Sequence, residues 1–156
     1  MDFQITALPA EPFVDLFGLD ATDLAARQTR RMTVTEYPGV PCRVSLDDAQ
    51  IGETVILTNF EHQPGDSPYR ASHAVYVREG VDQVDLDVNE VPPVIQSRLI
   101  SLRFFDEEDM IASADVVPGT DVAAALAEGL DDPKIAYVHI HFAKPGCFAA
   151  TAKRVS

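Results

Sequence analysis

Two strand-forming runs, Glu53–Phe60 and Tyr69–Glu79, constrain this fold most, because the Glu61–Pro68 stretch between them is too rich in Pro, Gly, Asp and Ser to remain extended. Thr54-Val-Ile-Leu-Thr-Asn-Phe60 is the pattern of a strand buried on both faces. Tyr69–Glu79 alternates, with Tyr69, Ala71, His73, Val75 and Val77 on one face and Arg70, Ser72, Ala74, Tyr76 and Arg78 on the other. Two histidines, two arginines and two tyrosines fall within Asn59–Gly80, so polar chemistry lies between buried strands.

The rest of the chain adds short helices and further strands. Phe3–Leu8 reads as an edge strand, and Pro9 and Pro12 start a helical turn through Phe17. Asp20 reads as the N-cap of a helix over Ala21–Gln28. Met32–Glu36 and Cys42–Leu46 read as strands separated by the rigid Tyr37–Pro41 turn. Asp82–Glu90 is an acidic, solvated segment, and Pro92 and Pro93 open a helix through about residue 99. Ile100–Phe105 and Met110–Val117 flank the polar Asp106–Asp109 loop as a hairpin. Thr120 is the expected N-cap of a helix that places Val122, Ala125, Leu126 and Leu130 on one face. Ile135–Phe142 then alternates, with Val138, Ile140 and Phe142 on one side and Tyr137, His139 and His141 on the other, and Phe148–Val155 is a final strand. No repeat, low-complexity tract or linker divides residues 1–156, so the expectation is a single α+β domain with a mixed or mainly antiparallel sheet and short helices packed on it.

Composition narrows the function classes. A net charge of -13 repels the phosphate backbone, and no apolar run approaches the roughly 20 residues that span a bilayer, so neither nucleic acid nor membrane is an expected partner. The N-terminal segment lacks the basic and apolar regions of a signal peptide, which points to the cytoplasm. Cys42 and Cys147 belong to no C-x-x-C pair, and a cytosolic chain keeps such thiols reduced. Cys42 beside Arg43 is a nucleophile candidate, against the commoner state of a buried inert thiol.

Two constellations carry chemistry. The first is Arg43, Tyr69, Arg70 and His73, approached by His62 and His139, in which guanidinium forks with Tyr and His donors suit a small anionic ligand. The arginines have acidic neighbours in sequence, so structural ion pairs are the competing account. The second is His139-Ile-His141, whose imidazoles lie about 6 to 7 Å apart on one strand face. It resembles the cupin H-x-H, but the glutamate that follows there is replaced by Phe142-Ala-Lys-Pro-Gly146. It also resembles the strand of histidine-triad nucleotide hydrolases, but the first histidine is replaced by Tyr137. Zinc needs three or four ligands, and only tertiary structure can bring His62, His73 or Cys147 to the pair, so the sequence assigns no metal site and no cofactor.

The Pro41-Cys-Arg-Val-Ser-Leu46 block, Gly52-Glu-Thr-Val55, His62-Gln-Pro64, Ser67-Pro-Tyr-Arg-Ala-Ser-His73, His139 and Pro145-Gly-Cys147 are similar to the bacterial domain-of-unknown-function 1203 family. The resemblance spans nearly the whole chain and implies one compact bacterial domain. It brings no activity, cofactor or catalytic residue.

Three function classes follow. One is a small cytosolic protein binding an anionic molecule in the Arg/His/Tyr pocket, where His73 or His139 is the acid or base of any enzyme version. Another is a non-catalytic structural or interaction protein, forming a homodimer through a strand edge. The third is a metal-dependent enzyme using His139 and His141.

Overall fold

The computed structural model describes residues 1–156 and contains eight strands: β1 (Phe3–Thr6), β2 (Thr29–Thr33), β3 (Thr54–Gln63), β4 (Ala71–Arg78), β5 (Leu99–Phe105), β6 (Ile111–Pro118), β7 (Tyr137–Phe142) and β8 (Phe148–Arg154). They assemble as a five-stranded sheet, β1-β8-β7-β5-β6, and a three-stranded sheet, β2-β3-β4. Every ladder in both is antiparallel. The helices are short: α1 (Glu11–Val14), α2 (Ala21–Ala26), α3 (Pro93–Gln96) and α4 (Val122–Gly129). The architecture is α+β, as the order of helical and strand patterns predicts.

Period-two alternation decides which face of the larger sheet is dry. Ile100, Leu102 and Phe104 of β5, Val138, Ile140 and Phe142 of β7 and Ala150 and Ala152 of β8 point to one side. There they meet Val94 and Ile95 of α3 and Val122 and Leu126 of α4 in the main core. Each large aliphatic side chain buried there contributes about 1.5–3 kcal/mol. The other face carries Tyr137, His139 and His141 on β7 beside Phe105, Arg103 and Ser101 on β5. A second core joins Phe13, Leu16 and Leu24 to Ile56 of β3 and Val75 and Val77 of β4.

Local chemistry explains the ends of the elements. Asp20 caps α2 by accepting from the Asp23 amide at 2.8 Å. At α4 the chain enters through a 3-10 turn, Gly119–Asp121, so Asp121 rather than Thr120 occupies the cap position and no side chain bonds there. Gly119 sits so close to the carbonyl of Ile95 that a Cβ would lie 2.0 Å from it, which only glycine avoids.

Two further sequence expectations are corrected. Cys42–Leu46 is not a strand. It is a tight turn in which the Leu46 amide bonds the Cys42 carbonyl at 3.0 Å and Leu46 has φ 50°, leaving isolated bridges at Pro41 and Cys42. Its apolar residues are buried because the turn plugs inward, as Val44 at 0% exposure shows. The second correction lies at the end of β3, which runs on through Glu61, His62 and Gln63 into the stretch read as loop. Phe60 pairs with His73 and Gln63 with Ala71, so a bulge absorbs one extra residue in β3. That bulge sets His62 and Gln63 both inward.

The two sheets meet where β3 ends. Gln63 Nε2 donates to the Tyr137 hydroxyl at 2.8 Å, and the His62 ring stacks on Phe148 at 5.2 Å between centroids. Beside them, Arg43 Nε donates to the Phe148 carbonyl at 2.8 Å.

Candidate metal centre

At this seam three of the four histidines converge. His139 and His141 come from alternate positions of β7 and so share a face, while His62 arrives from the bulged end of β3. One ring nitrogen from each lies within 4.8 Å of the others. All three side chains are buried, at 9%, 5% and 1% exposure for His62, His139 and His141.

The ring nitrogens can be assigned by elimination. His141 Nδ1 lies 3.0 Å from the carbonyl of Gly146, which only accepts, so Nδ1 carries the proton and Nε2 holds the lone pair. That Nε2 has no partner, and neither has Nδ1 of His62 or His139, although all three atoms are buried. A buried polar atom without a partner costs about 1–3 kcal/mol. Three histidines with such atoms in one cluster are residues that could hold a metal ion, with the Gly146 carbonyl fixing the tautomer of one of them. An ion with nitrogen bonds of about 2.1 Å holds tetrahedral ligands roughly 3.4 Å apart, against the 4.8 Å within which these nitrogens lie.

The walls keep the imidazoles neutral. Burial is the main cause, and the Arg103 guanidinium adds to it, so His62 and His139 are lowered to about 4 and His141 to about 3. Phe148 lies edge-on to His139 and His141, and Phe105 stands 4.9 Å from the His139 ring. At neutral pH all three imidazoles are uncharged, the form in which a histidine can ligate a metal. No cysteine, carboxylate or fourth histidine joins the cluster.

An open cavity of about 340 Å³ reaches the centre beside His139 and is lined also by Gln63, Asp109, Tyr137, Thr151 and Lys153. In it the Tyr137 hydroxyl donates to Asp109 Oδ1 at 2.5 Å and accepts from Gln63. Burial first, and then the bond to Asp109, push this phenol up to about 12.

The residues of the expected anion pocket have separate partners. Arg43 is 1% exposed and fully engaged: Nε bonds the Phe148 carbonyl, Nη1 the Pro41 carbonyl at 2.5 Å and Nη2 the Cys147 Sγ at 2.8 Å. Its guanidinium also lies 5.0 Å from the centre of the Phe142 ring. Arg70 is exposed and pairs with Glu61 at 3.2 Å. His73 Nδ1 accepts from the Ala74 amide, and Tyr69 stands at the surface, edge-on to Phe105. Cys42 and Cys147 are both free and buried. Of the residues singled out in the sequence, His62, His139 and His141 come together. Arg103, at the same face, was not foreseen; the signal was an arginine inside the apolar run Leu102-Arg-Phe-Phe105.

A family model described as "Protein of unknown function (DUF1203)" matches residues 39–154, well over half of the chain. The chain belongs to this family. The matched span holds all three histidines of the cluster, Arg43, Arg103 and the Gly146–Phe148 turn. No curated protein and no solved structure matches the chain.

Proposed function

We propose that this member of the family is a metal-dependent enzyme whose His62, His139 and His141 hold one divalent transition-metal ion, with zinc the first choice by ligand type. The observation that carries this reading is the convergence of three buried histidines, one ring nitrogen of each within 4.8 Å of the others, each ring also holding a buried nitrogen without a partner. Three nitrogen ligands with an open fourth position distinguish catalytic from structural zinc sites, which close the shell with four protein ligands. Such an ion supplies Lewis acidity and lowers the pKa of a bound water, so hydrolysis is the reaction class that needs the fewest further parts.

The chain's own residues account for the rest. His141 is aimed by the Gly146 carbonyl, and Phe148 and Phe105 wall the cluster from bulk water. The Tyr137 hydroxyl stands in the adjoining cavity with its one proton given to Asp109, so its oxygen, which accepts from Gln63, offers a bound molecule only a further acceptor lone pair.

Metal analysis and calorimetry of the metal-stripped protein test this. One Zn²⁺ or Co²⁺ per chain is expected, with binding in His62→Gln or His141→Gln weakened at least a hundredfold. A wild-type protein that melts cooperatively and takes up neither ion would end the reading.

A further inference from the structure

The metal-centre reading leaves a charge unaccounted for, and it belongs to Arg103. Arg43, Arg78, Arg98 and Arg154 are buried or half-buried, and each donates to carbonyl, thiol or carboxylate acceptors. Arg103 is half-buried and makes no hydrogen bond or ion pair, in a chain with 25 acidic residues. It stands directly opposite His139 in the β5–β7 register, with Ser101 opposite His141. Directly opposed residues leave the same face with Cβ atoms about 5 Å apart, so the guanidinium rises beside the histidines. Its charge also helps to lower all three imidazoles, which places it electrostatically within the cluster.

A divalent ion on three neutral imidazoles, with Arg103 alongside, puts three positive charges in a partly desolvated site. The ligand set contains no carboxylate. Asp109 acts on His139 and supplies one negative charge, its Oδ1 held by the Tyr137 hydroxyl. One carboxylate does not balance three positive charges, and buried charge in excess of its counter-charge is costly, so the occupied site calls for an anion from outside. The parts for one exist: an open metal position, a guanidinium fork without a protein partner on the strand position opposite His139, and, on the cavity side of His139, Lys153 and Thr151.

We propose that Arg103 is the anion anchor of this site, so that the molecule bound there carries a carboxylate or phosphate group. One oxygen of that group takes the open metal position and another accepts from the Arg103 fork. The anionic-ligand class read from the sequence then returns at a different arginine. The proposal rests on the metal-centre reading, and its test separates the two.

The Co²⁺-loaded protein is titrated with inorganic phosphate and, separately, with acetate, followed by the visible cobalt spectrum and by calorimetry. At least one of the two anions is expected to perturb the spectrum, and which one binds more tightly assigns phosphate or carboxylate. In Arg103→Gln, cobalt binding is expected to survive while affinity for that anion falls at least tenfold. Arg103→Lys recovers part of the loss, because the charge remains without the fork, and Arg30→Gln at the surface changes nothing. Cobalt bound by wild type and by Arg103→Gln, with anion affinity equal in both, overturns the anchor and leaves the metal centre standing. Anion binding that depends on Arg103 in a protein that takes up no cobalt supports the anchor and removes the metal. Neither ion nor anion bound removes both.

Discussion

Arg43 is the residue on which the histidine cluster leans without touching it. Its three donor directions are spent on Pro41, Cys147 and Phe148, which ties the Cys42–Leu46 turn to the start of β8. That same segment supplies the Gly146 carbonyl to His141 and the Phe148 ring to His62. Truncating Arg43 strips two buried carbonyls of their donor and opens a void where a large side chain is 1% exposed. Arg43→Met is therefore expected to lose about 3 kcal/mol of unfolding free energy in a urea titration, and a loss under about 1 kcal/mol would show that water replaces the fork without cost. Tyr137→Phe makes the opposite separation. It deletes a half-buried hydroxyl between Gln63 and Asp109, at a cost of about 1 kcal/mol. Metal affinity is expected to stay within threefold of wild type, because the phenol is not a ligand; a larger fall would place Tyr137 in the coordination shell.

Among the elements, β7 was legible because its chemistry follows from its own periodicity. Tyr137-Val-His-Ile-His-Phe142 alternates, and the observed strand puts Val138, Ile140 and Phe142 in the core and the histidines opposite. The partner strand was not legible in the same way. Glu61–Pro68 contains the residues that end strands, so His62 read as a loop residue, and nothing local announces a bulge that continues β3 for three more residues. Arg103 was hidden for a different reason. Its place beside His139 depends on β5 pairing with β7, a contact of long sequence separation that strand patterns do not encode. Cys42–Leu46 misled because an inward-plugging turn and a short buried strand share the same apolar composition. One turn offers a test at this scale. Gly146 has φ 80° and nothing within 4 Å of where a Cβ would stand, so Gly146→Ala costs backbone strain alone, about 1–2 kcal/mol. Gly80 has φ 77° and the same open space but no histidine partner, so Gly80→Ala is its control. Both variants are expected to lose similar stability, while only Gly146→Ala weakens Zn²⁺ binding, through the displaced carbonyl that aims His141. Equal zinc affinity in the two would show that this hydrogen bond does not tune the ligand.

For the whole molecule, the seam between the sheets makes stability depend on pH in a way the acidic surface does not. His62, His139 and His141 are held far below the ordinary histidine value, chiefly by burial, with folded values of about 4, 4 and 3. In the unfolded chain each returns to about 6.5. Above pH 6.5 both states are neutral at these positions and the three groups contribute nothing. As pH falls from 6.5 towards 4, the unfolded chain takes up protons that the folded chain refuses, so folding weakens, by up to about 1.4 kcal/mol per pH unit for each histidine. Between pH 6.5 and 5 the carboxylates are still ionised in both states, and the slope there belongs to the histidines. The metal-free protein is therefore expected to lose stability steeply over that interval, and a variant with His62, His139 and His141 all replaced by Gln to lose it gently, as read from urea midpoints at each pH. Zinc adds to stability with the logarithm of its free concentration over its dissociation constant, about 2.7 kcal/mol at a hundred times that constant, and protons compete with it for the same lone pairs. The zinc-loaded protein should thus keep its midpoint down to lower pH than the stripped one. Coincident pH curves for stripped, loaded and triply substituted protein would show that the three imidazoles neither resist protonation nor bind the ion.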